Sequence, residues 1–206
     1  MEHVPHSPYL RALGARRSAL HPELQTYFSA IPPGHVGIGE GVFTEAGAHR
    51  RLLRPFFRRL QPYGALYAGW AKNVPFTLRN TSVGTRTVSE RTLHLPEGDW
   101  AMRDVVAPLP HGGVHEQLGE PVVFAAIFDA DVKDGALELQ SRRVGLQLGR
   151  VRVRIPRVLA PVIRLTERWD DATGRQSVDV RVDMPLIGRV YEYRGAFTYR
   201  ITEDAA

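Results

Sequence analysis

An alternation of apolar and polar residues with a period of two begins near Asn73 and constrains the fold more than any other feature of the chain. Turn residues interrupt the alternation about every 8 to 12 positions, which is typical of an antiparallel sheet or barrel and predicts about nine strands. The predicted strands cover residues 74–80, 84–95, 100–107, 122–132, 136–144, 151–155, 162–169, 176–183 and 190–201.

Short turn motifs separate several of these strands. Residues 133–135 read Lys-Asp-Gly, and Asp-Gly supplies the positive φ values that a tight hairpin needs. Residues 96–99 read Pro-Glu-Gly-Asp, which favours a second reversal. Further turns are expected at residues 171–174 and 185–188.

The faces of the predicted strands differ in polarity. Val178 and Val180 fall on one face of a strand, whereas Asp179 and Arg181 fall on the other. A long series of such strands without intervening helices must curl or close to hide its apolar face and its edges. We therefore predict a mainly β (α+β) fold, a curved antiparallel sheet or a β-barrel, whose interior is either filled by side chains or left as a pocket.

Helical signals dominate the first part of the chain. Ser7 suits a helix cap, Pro8 suits the first helical position, and Gly14 suits the end. Residues 21–28 and 50–60 predict two more short helices, and a glycine-rich strand lies between them. We expect a single domain of residues 1–206, in which a helical segment (1–70) packs on a sheet or barrel (71–202).

Composition narrows the functional classes. The chain has no cysteine, which excludes disulfides, thiolate zinc sites and thiol nucleophiles. Its net charge is +5, and almost all of its basic residues are arginines. The basic run at residues 50–59 has helical spacing, so we expect it to form a solvated stripe on a helix. We therefore expect no nucleic-acid partner. No apolar run reaches the length of about 18 residues that spans a bilayer, and no secretory signal is evident, so we expect a cytoplasmic protein.

Three motifs resemble cofactor or metal sites without meeting their requirements. Residues 37–41 read Gly-Ile-Gly-Glu-Gly, but the third glycine is misplaced for a dinucleotide loop, and we predict strand glycines at a bend or close backbone approach. His111 and His115 flank two glycines and predict a mobile loop rather than a metal site. Residues 129–135 depart from a calcium loop at Lys133. We expect no cofactor and no metal.

Polar and aromatic residues on the predicted strands are the candidates for a binding site. An inward arginine paired with a glutamate would suit the carboxylate or phosphate head of an amphipathic ligand. The alternative is that the arginines face water and the aromatic rings fill the core. The candidate ligand-binding residues are Trp100, Arg103, Glu167, Trp169 and Tyr193.

A set of short motifs extends along nearly the whole chain. They are Ser7-Pro8-Tyr9, Leu13-Gly14, Trp100 with Arg103, Leu118-Gly119, Leu159-Ala160-Pro161, Glu167, Val178-Asp179-Val180, Pro185-Leu186-Ile187-Gly188 and Tyr193-Arg194-Gly195. Together these motifs resemble those of the bacterial DUF 4166 family. The resemblance implies a domain that stands alone or is appended to a nucleotide-binding reductase of the saccharopine-dehydrogenase type. It therefore implies an accessory or ligand-binding role and a reductase as a candidate partner.

Three functions remain open from the sequence. The first is a non-enzymatic protein that binds an apolar or amphipathic small molecule inside the barrel, with Arg103 and Glu167 as polar anchors. The second is an enzyme or an enzyme accessory acting beside a reductase, with Glu167, Asp179, His115 or Tyr193 in proton transfer. The third is a protein-interaction module that docks a partner through a sheet edge or a helix face.

Overall fold

A computed structural model describes residues 7–148, 151–156 and 158–204. Its eleven strands in this described part form one antiparallel sheet, and ten of them close into a barrel. The strands are β1 (His35–Ala48), β2 (Trp70–Val83), β3 (Arg86–Leu95), β4 (Gly98–Pro108), β5 (Val114–Leu118), β6 (Phe124–Lys133), β7 (Ala136–Leu148), β8 (Val151–Arg154), β9 (Val162–Asp170), β10 (Arg175–Met184) and β11 (Gly188–Glu203).

The barrel closes because β7 pairs along both of its edges. The order around the ring is β6-β5-β4-β3-β2-β1-β11-β10-β9-β7, and β7 returns to β6. β8 lies outside the ring as a short hairpin partner of β7. The mainly β fold is confirmed, and of its two predicted forms the structure has the closed barrel, which removes the sheet edges of the ring.

Two strands differ from the sequence-based expectation. β1 belongs to the barrel between β2 and β11, so the sheet begins at His35 and not near residue 71. β5 occupies part of the segment that was expected to be a mobile histidine loop. The predicted hairpin between β6 and β7 is present, with positive φ at both Asp134 (49°) and Gly135 (77°).

Alternate residues of each strand fill the barrel, as the period of two predicts. Val178 and Val180 on β10 are buried, and their neighbour Asp179 faces outward and pairs with Arg181. Large aromatic rings occupy much of the interior: the rings of Phe43 and Phe76 stack with centroids 3.8 Å apart. Such rings bury a large apolar area and supply much of the core.

Three short α-helices and three 3-10 turns cover the two ends of the barrel. The helices are α1 (Pro8–Leu13), α2 (Pro22–Tyr27) and α3 (Arg54–Leu60), and the 3-10 turns are Gly14–Ala19, Arg51–Leu53 and Gln61–Tyr63. Ser7 caps α1 by accepting a hydrogen bond from the Leu10 amide (3.2 Å), as predicted. No helix in the described ranges is long and apolar enough to cross a membrane.

Each helical segment buries its apolar face against one barrel end. Leu13, Leu24 and Phe28 pack against Val106 and Phe128 and close the end that we call the plug end. α3 closes the opposite end, which we call the α3 end.

At the α3 end, Phe57 and Leu60 are buried with Ala48, Ala65 and Val123. The predicted arginine stripe on this helix is only partly solvated, because the Nε of Arg54 is buried without a hydrogen bond.

Glycines on β1 allow the backbone to approach the opposing aromatic rings. Gly37, Gly39 and Gly41 face the interior, and a Cβ atom on Gly37 would overlap the hydroxyl of Tyr199. A Cβ atom on Gly41 would overlap the Ala196 carbonyl and Phe197. The predicted close approach is confirmed, and these glycines form part of a long strand and not a dinucleotide loop.

We expect Gly41→Ala to lower the free energy of unfolding by about 2–3 kcal/mol, because the added methyl group meets backbone atoms that cannot move aside. Gly145→Ala on β7 is the matched control, since its nearest neighbour would lie at 3.4 Å. Urea denaturation of the two variants measures the difference. Equal stability of the two would contradict the close approach on β1.

Candidate functional site

The barrel encloses a cavity of about 110 Å³. Its walls are mainly apolar, and four polar side chains also line it: Arg91, Glu116, Tyr191 and Tyr193. A concave, mainly apolar site with a few convergent polar groups is typical of a small-molecule site. Both predicted outcomes for the interior therefore occur together, because side chains fill most of the barrel and leave this pocket.

The cavity lies where β7 leaves β9. β7 pairs with β9 only over Leu137–Gln140, and further along it pairs with β8 from Gly145. At the divergence the Ser141 hydroxyl accepts a hydrogen bond from the Ile163 amide (2.8 Å). Ile163 and Pro161 line the cavity at this gap, which we call the mouth.

A buried ion pair stands at the inner wall of the cavity. Arg91 on β3 donates from Nη1 to Oδ1 of Asp104 on β4 at 2.7 Å, and the Asp104 side chain is only 1% exposed. Burial alone would lower the pKa of Arg91, but Asp104 and neighbouring tyrosines hold that pKa well above its usual range. Burial raises the pKa of Asp104, and the hydrogen bonds from Arg91 and Ser89 oppose that rise.

Glu116 on β5 is the second carboxyl group at the cavity. It faces inward between the buried Val114 and the partly buried Leu118. Burial, with a smaller contribution from the negative charge of Asp104, raises the pKa of Glu116 to about 7. A carboxyl group with this pKa changes its charge near neutral pH and, when protonated, donates a hydrogen bond.

Glu167 on β9 is the third interior carboxyl group, and it is buried nearer the plug end than the cavity. Gln176 on β10 donates a hydrogen bond from Nε2 to Glu167. Burial raises the pKa of Glu167 to about 7 against the opposing effects of Arg91 and Gln176. We call Arg91, Asp104, Glu116 and Glu167 the interior cluster.

The helices α1 and α2 form what we call the plug. Their tyrosines, Tyr9 and Tyr27, lie within electrostatic range of the interior cluster. Burial and the charges of Asp104 and Glu116 raise the pKa of Tyr9 well above its usual value. Burial and Glu167 do the same for Tyr27. The plug therefore shields the interior cluster from bulk water, which is the physical reason that Glu116 and Glu167 hold protons near neutrality.

The structure brings two of the predicted site residues into the interior. Tyr193 lines the cavity, and burial raises its pKa above its usual value. Glu167 belongs to the interior cluster. Trp169 shares its strand face, as the period of two predicts, but its ring stacks with His21 of the plug at a centroid distance of 6.0 Å.

Trp100 and Arg103 occupy other places. The Trp100 indole donates to the Gln61 carbonyl (3.0 Å) at the α3 end and does not line the cavity. Arg103 lies on the outer face, where its Nε pairs with Glu90 at 2.7 Å. The expectation of Arg103 as an interior anchor is corrected, because its neighbour Asp104 takes the inward position on β4.

Of the residues suggested for proton transfer, only Glu167 and Tyr193 face the interior. Asp179 is on the outer face of β10, paired with Arg181. His115 is on the opposite face of β5 from Glu116. In residues 7–148, 151–156 and 158–204, no group of three or more histidine and acidic side chains is arranged to hold a metal ion.

Sequence reasoning missed Arg91, Asp104 and Glu116, although a signal for them exists. Each of them has an apolar residue two positions away on at least one side. Asp104, for example, has Met102 on one side and Val106 on the other. Such a polar residue on an apolar strand face is placed inside by the period of two. Which polar side chains then meet across strands depends on the register.

We expect Arg91→Met to lower the free energy of unfolding by about 3–5 kcal/mol, because it leaves the buried Asp104 without its partner. Arg181→Met, in an exposed ion pair, is the matched control and should cost about 1 kcal/mol or less. Adding Asp104→Leu to Arg91→Met should restore part of the loss. A smaller loss of unfolding free energy in Arg91→Met than in Arg181→Met would contradict the stabilising role of the Arg91–Asp104 ion pair.

The interior carboxyl groups predict a pH dependence with a defined sign. Glu116 and Glu167 bind a proton more tightly in the folded chain, where their pKa is about 7, than in the unfolded chain. Their contribution to stability is complete below the ordinary carboxyl pKa of about 4.3 and is lost as the pH rises through about 7. The free energy of unfolding should therefore fall between about pH 5 and about pH 8.

We expect Glu116→Gln to reduce the decrease in the free energy of unfolding with rising pH, since the amide side chain stays neutral. At about pH 8 the variant should be more stable than the wild type, by on the order of 3 kcal/mol. At about pH 4 the two should be nearly equal, which serves as the internal control. Urea denaturation across this range measures the effect, and a pH-independent difference would contradict it.

Comparison with known proteins places the chain in a family without naming an activity. The family model described as "Domain of unknown function (DUF4166)" matches residues 20–197. The "Uncharacterized protein YndH" of Bacillus subtilis (strain 168) is 22% identical over 187 residues, which cover 86% of this chain and 90% of that protein. No solved structure matches the chain.

Proposed function

The chain belongs to the DUF4166 family of domains of unknown function, and we propose that its barrel binds a small, mainly apolar molecule whose polar end meets Arg91 and Glu116. The observation that carries this proposal is the cavity itself. It brings the Arg91 guanidinium and the Glu116 carboxyl group together against an otherwise mainly apolar space. Arg91 keeps N–H groups beyond the one bonded to Asp104, and a site of this chemistry suits a ligand with one polar end.

The volume limits the part of the ligand that the barrel encloses. A cavity of about 150 Å³ lined by apolar side chains is known to hold benzene. At about 110 Å³ the present cavity suits a single ring or a short chain. A longer ligand would extend through the mouth between β7 and β9.

Arg91 and Glu116 define the polar end of the ligand. One nitrogen of Arg91 is committed to Asp104, and the remaining N–H groups can donate to a carboxylate. Glu116 would repel that carboxylate when ionised and would donate a hydrogen bond to it when protonated. An anionic ligand should therefore bind the form in which Glu116 carries its proton.

We expect benzoate, as a single-ring probe, to bind the wild type about tenfold more tightly at about pH 6 than at about pH 8, because Glu116 with a pKa of about 7 is protonated about tenfold more often. Isothermal titration calorimetry measures both affinities. Benzyl alcohol, which has no charge, should show little pH dependence. Native mass spectrometry of protein purified from cells would also reveal a retained ligand.

Two variants and one control sharpen this test. Ala126→Leu places a larger side chain in the cavity and should abolish benzoate binding. Ala125→Leu, one residue away on the outer face of β6, should leave it unchanged. Glu116→Gln should bind benzoate with no pH dependence in this range. Equal binding by the Ala126 and Ala125 variants would show that the probe does not enter the cavity and would overturn the proposal.

Proton transfer is a second candidate function, favoured by one observation. Glu116 and Tyr193 line the same cavity, and the pKa of Glu116 lies near the pH at which a general acid or base works best. A ligand recovered chemically changed from the wild type and unchanged from Glu116→Gln would support catalysis over storage. The accessory role beside a reductase stays a prediction of the family resemblance.

A further inference from the structure

Apolar side chains project from three segments at the α3 end of the barrel. Leu52 precedes α3 and is 90% exposed, and Leu186, in the turn between β10 and β11, is fully exposed. Val158 in the loop before β9 is 77% exposed. Phe56, Leu159 and Ile187 are also exposed, and we call these six residues the apolar rim.

The strand register places the three segments side by side. Ala48, where β1 ends, lies opposite Tyr191 near the start of β11. Val162, where β9 begins, lies opposite Asp183 near the end of β10. The three segments therefore lie at the same end of the barrel, at the ends of the four adjacent strands β1, β11, β10 and β9.

A direct contact joins two of these segments. Arg50, two residues before Leu52, donates from Nη2 to the Ile187 carbonyl at 3.1 Å. The segment before α3 is thus held against the turn that carries Leu186. Two of the three segments that carry the apolar rim are therefore joined by a hydrogen bond.

The turn at Leu186 presents its side chain at a conformational cost. Leu186 has φ of 64°, and the Ile187 amide donates to the Pro185 carbonyl at 2.8 Å, which forms a tight three-residue turn around it. A positive φ is uncommon for leucine, and tight turns of this kind are strained. This turn leaves the Leu186 side chain fully exposed to its surroundings.

Exposed arginines that lack an acidic partner in the described ranges lie on the segment that carries Leu52 and Phe56. No aspartate or glutamate occurs in residues 46–89 or 139–166. Arg51, Arg58 and Arg59 are exposed, and in the part of the chain that the structure describes no carboxylate lies within ion-pair distance of them. On the barrel wall, by contrast, Arg103 and Arg194 each pair with a glutamate.

We propose that the apolar rim and these arginines dock the protein on an anionic lipid membrane. A bilayer surface offers both complementary features in the required order, a negatively charged headgroup layer above an apolar one. Separate apolar side chains that project from turns suit insertion between lipids, and the arginines suit lipid phosphates. Docking of this kind needs no membrane-spanning helix.

The geometry relates this surface to the cavity. Pro161 lines the cavity at the mouth and lies two residues from Leu159 of the apolar rim. A protein docked through the rim would therefore hold the mouth close to the lipid. The docking surface rests on surface residues alone and does not depend on the ligand proposed above.

The test is sedimentation of the full chain with vesicles of two compositions. Vesicles of phosphatidylcholine mixed with phosphatidylglycerol should bind the wild type, and vesicles of phosphatidylcholine alone should bind it much more weakly. Arg51→Glu with Arg58→Glu should weaken binding to the anionic vesicles at least about 30-fold, since each basic residue near such a surface contributes about fivefold. Leu52→Ser with Leu186→Ser should weaken binding to the same vesicles without changing its salt dependence.

Matched changes at the opposite end are the controls. Val83→Ser removes an exposed apolar side chain from the β2–β3 turn, and Arg86→Glu with Arg175→Glu reverses two exposed arginines at the plug end. These variants should bind the anionic vesicles nearly as the wild type does. Absence of wild-type binding, or equal loss in rim and control variants, would overturn the proposal. Vesicle binding by Ala126→Leu would show that docking stands even where ligand binding fails.

Discussion

The divided pairing of β7 is the constraint on which the rest of the structure depends. Over Leu137–Gln140 this strand hydrogen-bonds β9 on one edge, and along its other edge it pairs with β6, so that the ring closes. Beyond Gln140 it turns to β8, and the wall of the barrel opens at the mouth. One strand thus both removes the sheet edges and creates the gap beside which the cavity lies.

Charged side chains inside a closed barrel are unfavourable because they are removed from water. The interior cluster compensates for this by ion pairing, hydrogen bonding and protonation. Arg91 and Asp104 neutralise each other at 2.7 Å, while Gln176 donates to Glu167. Glu116 and Glu167 then hold their protons to about neutral pH because water is excluded from both ends of the barrel. The helical plug and α3 therefore affect the chemistry of the interior as well as the stability of the fold.

Arginines on the wall of the barrel and arginines on and just before α3 differ in whether they pair with carboxylates. Arginines on the wall, such as Arg103 and Arg194, are matched by glutamates across neighbouring strands. Arg51, next to the exposed Leu52, and Arg58 on α3 have no such match in the described part of the chain. The α3 end thus combines the mouth of the cavity with exposed apolar side chains and with arginines that lack an acidic partner in the described ranges.

Periodicity and turn chemistry in the sequence determined the β class, the hairpin at Asp134-Gly135 and the inward faces of the strands, because these depend on neighbouring residues alone. The same rule would have placed Asp104 inside and Arg103 outside, since adjacent residues of a strand face opposite sides. Only the tertiary structure decided that Arg91 meets Asp104, that Glu116 faces a cavity and that β1 joins the ring. Those contacts are set by strand register and closure between distant segments, for which no local pattern carries the information.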